Sequence, residues 1–369
     1  MSTENVPATP EVETVEAPRT VSRSDSIFRR RWRKFRTLKR GWYSFLVLAG
    51  VYLLSFTLPF LVNNRALVVC YEGAFYFPAF GGAYEARTFG QRRIGDPNYR
   101  DLRKQFERED GDNWLIMPPY PFHPNENLLT DPDLPGRPPH APSSRHWMGT
   151  DDRARDVFAR LIYGFRISIS FGIAVVIIAY AIGTMVGATL GFFGGRIDIY
   201  GQRLVEIWSM LPFLYTVMII SSIVKPNLVM LIVILAAFFW VGISLYMRGE
   251  FYREKGKDYT AAAIAQGESN LSVMFRHILP NALTPVISFA PFALVGAIAS
   301  LVALDFLGFG LPPPTPSWGE LVKQGLSNIL KWHLVFFPLG AMFLTLLMVV
   351  FIGEAIREAF DPKAYSRLR

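Results

Sequence analysis

The chain is short of nearly everything that carries bond chemistry. One cysteine, Cys70, stands among 369 residues, so no internal disulfide can form. The five histidines (His123, His140, His146, His277 and His333) show no H-x-x-x-H spacing and no cysteine partners, which argues against a metal centre. There is no G-x-x-x-x-G-K-[ST] loop, because Gly256-Lys257 is followed by Asp258 and position 251 is Phe. A G-x-S-x-G nucleophile elbow is missing as well. The acidic pairs Asp151-Asp152 and Asp131/Asp133 fall in a long polar segment and read as a solvated loop face, not as acid–base machinery. Ionisable residues are scarce inside the apolar runs, where an ion-coupled transporter needs them. Glu206, near the start of one run, reads as interfacial.

What the chain has in quantity is apolar length. Half of it, 51%, is hydrophobic, and the mean hydropathy is +0.25. That composition belongs to a multi-span membrane protein. The net charge of +8 comes from 38 Lys and Arg against 30 Asp and Glu. These cations cluster beside apolar runs, as topology signals do, so no nucleic-acid partner is expected.

Residues 1–41 read as a cytoplasmic N-terminal tail ending in a basic block that includes Arg29, Arg30, Arg31, Arg33 and Lys34. Residues 42–62 form an uncleaved first span of sufficient length for a bilayer. Residues 63–160 form a long loop outside the cytoplasm, with short strands plausible near 67–80 and extended chain over the proline-dense 118–142. The core at 161–353 holds five more spans, near 167–193, 204–224, 228–247, 283–304 and 336–352. Gly183, Gly187, Gly191 and Gly195 recur every fourth residue on the second, which allows close helix packing. Pro212 should kink the third. Residues 320–332 read as an amphipathic helix at the interface. The tail at 354–369 returns to the cytoplasm, putting both termini inside.

One polar island interrupts this pattern. Residues 258–281, DYTAAAIAQGESNLSVMFRHILPN, lie between two greasy spans and are flanked by Arg248, Arg253, Lys255 and Lys257. Alanine favours a helix over 259–266. Gly267 is placed to end it. Ser269 or Asn270 can cap a second helix over 271–278. Pro280 suits the first turn of the next span. With no energy-transducing chemistry elsewhere, this island is the natural docking point for another protein.

The island resembles the EAA loop of permease subunits in bacterial ABC importers. It keeps the acidic-aromatic pair Asp258-Tyr259, the small residues Ala262-Ala263, the turn at Gly267, and the close His277-x-Leu279-Pro280-Asn281. It departs at Ala261, where that family usually has Glu. Further stretches are similar to the dipeptide/oligopeptide branch: His146-Trp147-Met148-Gly149-Thr150-Asp151-Asp152 with Arg155-Asp156 and Arg160, Gly194-Gly195-Arg196-Ile197-Asp198, Phe306-Leu307-Gly308-Phe309-Gly310 with Pro316-Ser317-Trp318-Gly319, and Arg357-Glu358-Ala359-Phe360-Asp361-Pro362. The long outer loop and Asp305, in place of a usual Ser, are similar to the permease of importers for long oligopeptides and microcin C.

The resemblance implies an all-α membrane protein with the six-helix type I ABC importer permease fold and a periplasmic insertion between helices 1 and 2. It implies a non-catalytic permease of a bacterial inner-membrane peptide importer, working by alternating access. The ATPase would dock on Tyr259, Ala261, Ala262, Ala263, Gly267, His277, Pro280 and Asn281 within the loop at 248–281. The implied partners are a second homologous permease, ATP-binding cassette subunits that hold ATP and Mg, and a periplasmic peptide-binding protein. Asp305 could meet a peptide's amino terminus, or simply cap the turn that follows it. A nickel importer permease and a non-ABC secondary transporter are the rival readings.

Overall fold

The computed structural model describes residues 27–109, 111–134 and 136–360. The first 26 residues and most of the C-terminal tail lie outside these. Among the described residues, five helices are long and apolar enough to cross a membrane, and a sixth crossing arises if one bent pair is counted as a span. The arrangement is helical in its apolar part, as the resemblance to six-helix importer permeases implies.

The chain enters through α1 (Ile27–Thr37), which packs along the C-terminal helix. Lys34 Nζ donates to the Glu358 carbonyl at 2.7 Å, and the Arg31 guanidinium sits 4.8 Å from the Phe360 ring centre. The first span is α2 (Lys39–Leu54), continued through a 3-10 turn into α3 (Leu58–Leu61). It leans on the last helix at Gly41, where even a methyl group would collide with Ala355.

The segment after it is not all loop. It folds as a small α/β unit, with β1 (Val68–Tyr71), β2 (Ala74–Tyr76), α4 (Tyr99–Glu109) and β3 (Trp114–Ile116). The sheet is antiparallel in the order β2-β1-β3. Its inner face and α4 enclose Val69, Phe89, Tyr99, Leu102 and Phe106. Among the described residues of 118–142 there is no helix or strand. The unit is tied back to the membrane exit by a bridge between Val62 and Tyr120.

The second span, α5 (Val157–Phe193), is far longer than its apolar run suggested. Asp156 starts it, accepting the Ala159 backbone N–H at 2.8 Å. Its 37 residues at 1.5 Å each extend about 55 Å, against about 30 Å of hydrocarbon. The turns in excess of that thickness therefore lie outside the hydrocarbon. The third crossing is split into α6 (Gly195–Ser209) and α7 (Phe213–Ile223), bent by 70° at the break before Pro212. The proline has no N–H to continue the ladder, so the expected kink becomes a full break.

The fourth span, α8 (Leu228–Lys255), is capped by Asn227 and runs on into the polar loop that follows it. It packs tightly on α5. A methyl group added at Gly183, Gly187 or Gly191 would lie 2.3–2.4 Å from the carbonyls of Trp240, Ser244 and Arg248 respectively. The glycine series thus serves close packing. Gly195 stands apart from it, in the turn at φ +55°.

Next come α9 (Asp258–Ala265), α10 (Asn270–Ser272), a π-helical stretch over Val273–Ile278, and α11 (Leu279–Ala282). The fifth span is α12 (Thr284–Leu307). The short α13 (Trp318–Ser327) is held inward by buried Trp318 and Leu321 against α12 and α5, so it is not a free interfacial helix. The last span is α14 (His333–Phe360).

Candidate functional site

The loop between α8 and α12 is fastened by its own polar groups. At its start Glu254 is buried, yet every polar demand is met. It accepts Lys257 Nζ at 2.7 Å and the Tyr259 hydroxyl at 2.8 Å, while its backbone carbonyl accepts Thr260 Oγ1 at 2.9 Å. Burial, reinforced by the Glu254 carboxylate, pushes the Tyr259 hydroxyl up and keeps it a donor. The α9 helix ends at Gly267, whose φ of +81° is left-handed and costly for any residue with a Cβ. Ser269 caps α10 by accepting the Ser272 N–H. Glu268 then closes the loop, accepting Ser272 Oγ at 2.5 Å and His277 Nε2 at 2.9 Å. Asn281 Nδ2 donates to the His277 carbonyl at 2.9 Å.

Around these ties the exposed surface joins small and apolar side chains to the polar Lys257, Asp258, Gln266, Asn270 and Arg276. Ala261, Ala262, Ile264 and Ala265 are exposed on α9. Leu271 (64% exposed) and Phe275 (44%) extend the patch beyond the turn. Ala263 is buried against the membrane core, Tyr259 and His277 are half-buried, and Gly267, Pro280 and Asn281 are exposed. Pro280 sits in the first turn of α11, where its missing N–H costs nothing. Ala261 makes no contribution to the internal ties. A glutamate there would have faced away from the chain, so its absence leaves the loop intact.

The loop is also stapled to the span beside it. Arg248 donates to both Asp198 oxygens at 2.5 and 2.6 Å, joining α8 to α6. Lys255 Nζ donates to the Phe192 carbonyl at 2.6 Å, covering the C-terminal end of α5.

At the opposite end of α5 lies a buried ionic cluster. Arg155 pairs with Asp151 at 2.7 Å and with Glu320 at 3.1 Å. Arg160, wholly buried, pairs with Glu320 at 2.5 Å and donates to the carbonyls of Pro124, Pro314 and Thr315. Neighbouring Asp156 accepts the Tyr120 hydroxyl at 2.7 Å and His146 Nδ1 at 2.8 Å. Burial and the Asp156 carboxylate drive the Tyr120 hydroxyl up. This corrects the reading of Asp151-Asp152 as a solvated face: Asp151 is fully buried between two arginines, and only Asp152 is exposed. Asp131 and Asp133 instead clamp Arg145 at 2.8 and 2.6 Å.

Asp305 ends α12 with its carboxylate turned into the protein. It accepts the Leu311 N–H at 2.6 Å and the Ser317 hydroxyl at 2.6 Å. Gly310 is required beneath it, because a Cβ there would lie 1.8 Å from Asp305 Oδ1. Both oxygens are thereby engaged in shaping the 308–317 loop.

Comparison with known proteins agrees with this layout. Residues 182–364 match the family model described as "Binding-protein-dependent transport system inner membrane component". The chain is 38% identical to the inner membrane ABC transporter permease protein YejE of Escherichia coli over 346 residues, covering 93% of this chain and 99% of the relative. The chain belongs to the ABC transporter permeases of the peptide transport family. This permease is also 36% identical to the peptidoglycan transport system permease protein YejE of Agrobacterium fabrum, over 92% of its own length and 94% of the relative's. The dipeptide transport system permease protein DppC of Bacillus subtilis is 36% identical over 64% of this permease and 72% of that protein. An inner-membrane, binding-protein-dependent importer permease is a transport component. Hydrolysis falls to a partner ATPase, and a substrate-binding protein delivers cargo.

The loop residues were singled out by motif, whereas the outer cluster was not, although its residues stood in a similar stretch. Its members are separated by up to 169 positions, from Asp151 to Glu320, and charge signs along a sequence do not say which ones meet.

Proposed function

We propose that this permease is one half of a heterodimeric, ATP-driven peptide importer, and that Tyr259, Ala261, Ala262, Ala263, Gly267, His277, Pro280 and Asn281 form or position its ATPase dock. The observation that carries this reading is the exposed run of small and apolar side chains, Ala261, Ala262, Ile264, Ala265, Leu271 and Phe275, on a loop held in shape by its own hydrogen bonds. Small side chains allow a helix to approach a groove closely, and the apolar patch gains by burial. The basic block at 29–36 supports a cytoplasmic N-terminus, with the α/β unit outside. ATP and Mg stay with the partner subunits. Closure of the ATPases moves the loop, the spans rock, and cargo passes by alternating access.

Peptide cargo rests on the dipeptide and oligopeptide permeases among the relatives. Peptide-bearing conjugates such as microcin C belong to the same reading. A second cargo, peptide-bearing cell-wall fragments, is favoured by the near full-length relative named for peptidoglycan transport. Asp305 is proposed as a shaping residue of the outer passage.

Co-expression with the partner subunits tests the dock. Gly267→Val forces a β-branched residue into left-handed backbone, at about 1–2 kcal/mol. It should abolish co-purification of the ATPase and vanadate-sensitive hydrolysis in the assembled complex. Retention of both, with normal uptake, would remove the loop as the point of energy input. Uptake competition with oligopeptides, muropeptides and Ni²⁺ separates the cargo readings.

A further inference from the structure

The α/β unit carries an unpartnered aromatic face, and we propose that this face rests in the outer leaflet of the membrane beside the first span. The ten residues of β1, β2 and β3 include no Asp, Glu, Lys or Arg. The register places Phe75 and Trp114 either side of Cys70, with Ile116 opposite Val68 on the same face. Their partners on the opposite face, Val69, Tyr76 and Leu115, pack into the unit's core. The outward residues are open: Phe75 is 61% exposed, Trp114 44% and Ile116 48%. Phe77 and Phe80, just after β2, are exposed as well. A sheet face in water normally carries polar or charged side chains, which limit association. This one carries aromatics, including a tryptophan, the residues that favour the interfacial zone of a bilayer.

Continuity with the membrane surface selects lipid over a protein partner. The Phe80 ring lies 4.9 Å from that of Phe60 at the outer end of the first span. Beneath Phe60, the span's Phe56, Leu54 and Leu53 are themselves exposed. The six peptide steps from Val62 to Val68 extend at most about 20 Å, so the sheet cannot stand far from the bilayer. The strand directions also set an order. Ile116 and Phe77 lie at the end of the sheet nearest Val62 and Tyr120, while Phe75 and Trp114 lie nearer the hairpin turn at Glu72-Gly73. The former should lie deeper.

The test uses the full-length permease in liposomes of phosphatidylethanolamine and phosphatidylglycerol. On a Cys70→Ala background, a nitroxide is attached at one site each in Phe75→Cys, Phe77→Cys, Ile116→Cys and the control Ile94→Cys, which is 88% exposed away from the sheet. Collision rates with oxygen and with a water-soluble nickel chelate are compared. The proposal expects oxygen to dominate at 77 and 116, less strongly at 75, and the chelate to dominate at 94. Chelate dominance at all four sites would place the face in water and overturn it. Low accessibility to both reagents at 75, 77 and 116 would overturn it in favour of a protein partner. A second readout leaves Cys70 in place: lipids brominated near the headgroup should quench a fluorescence component that disappears in Trp114→Phe. An equal quenched fraction in both proteins would count against the proposal.

Discussion

Arg160 shows what a single buried charge commits a structure to. Its guanidinium is enclosed and meets Glu320 and three carbonyls from two separate segments. Removing it leaves Glu320 and Asp151 without their full complement of countercharge. Arg160→Ala should therefore destabilise the outer end by about 3–5 kcal/mol, seen as a lower unfolding midpoint in detergent, with ATPase association retained. Asp131 gives a pH signature at the same scale. Burial alone would raise its carboxyl, but the Asp133 N–H and the Arg145 guanidinium together outweigh burial and hold it below the ordinary aspartate value of 3.8. A depressed folded value contributes stability above the unfolded pKa and loses it as pH falls through the folded one. Hydrogen exchange across 128–146 should accelerate only below about pH 4, and Arg145→Met should remove much of that step.

Among the elements, the α5–α8 contact is the most restrictive. Gly187→Leu would drive a branched side chain into the Ser244 carbonyl, 2.3 Å from the new Cβ. Overpacking of this kind costs about 1–3 kcal/mol or more. The variant should accumulate poorly and unfold at lower temperature, whereas Gly242→Ala, with open space around it, should not. The glycine spacing was legible in the sequence because helical periodicity is a local property. Its partners were not, since Trp240, Ser244 and Arg248 carry no mark of the carbonyls they offer. The turn at Gly267 and the cap at Ser269 were legible for the same local reason. The early start of α5 was hidden because Arg160 and Arg166 interrupt its first turns, and hydropathy sees only the uninterrupted apolar run that follows. Strand β3 was hidden because three residues pair with a strand more than forty positions away. Amphipathic periodicity gave α13 away, but it could not distinguish a helix on a surface from one wedged between spans.

On the scale of the whole molecule, the proposed ATPase dock and the ionic cluster around Arg160 are joined by α5. Arg248→Met would release α8 from Asp198 while leaving the ties of α9 intact. ATPase association should persist, but the ATP consumed per peptide imported into proteoliposomes should rise. An unchanged ratio would assign the Arg248–Asp198 pair to stability alone.

The length of α5 has one more consequence. A rod of about 55 Å, fixed near one end by Lys255 at Phe192 and gripped at the other through Arg160, has little freedom to bend away an applied displacement. A tilt of about 5° at one end moves the other by roughly 5 Å. The same stiffness works in both directions. If the loop's motion shifts the preference of the outer passage for cargo, then cargo or its delivery protein must shift the loop's preference for its ATPase by an equal factor. The rod would thus be a messenger as well as a lever, reporting to the cytoplasm that the outside is occupied.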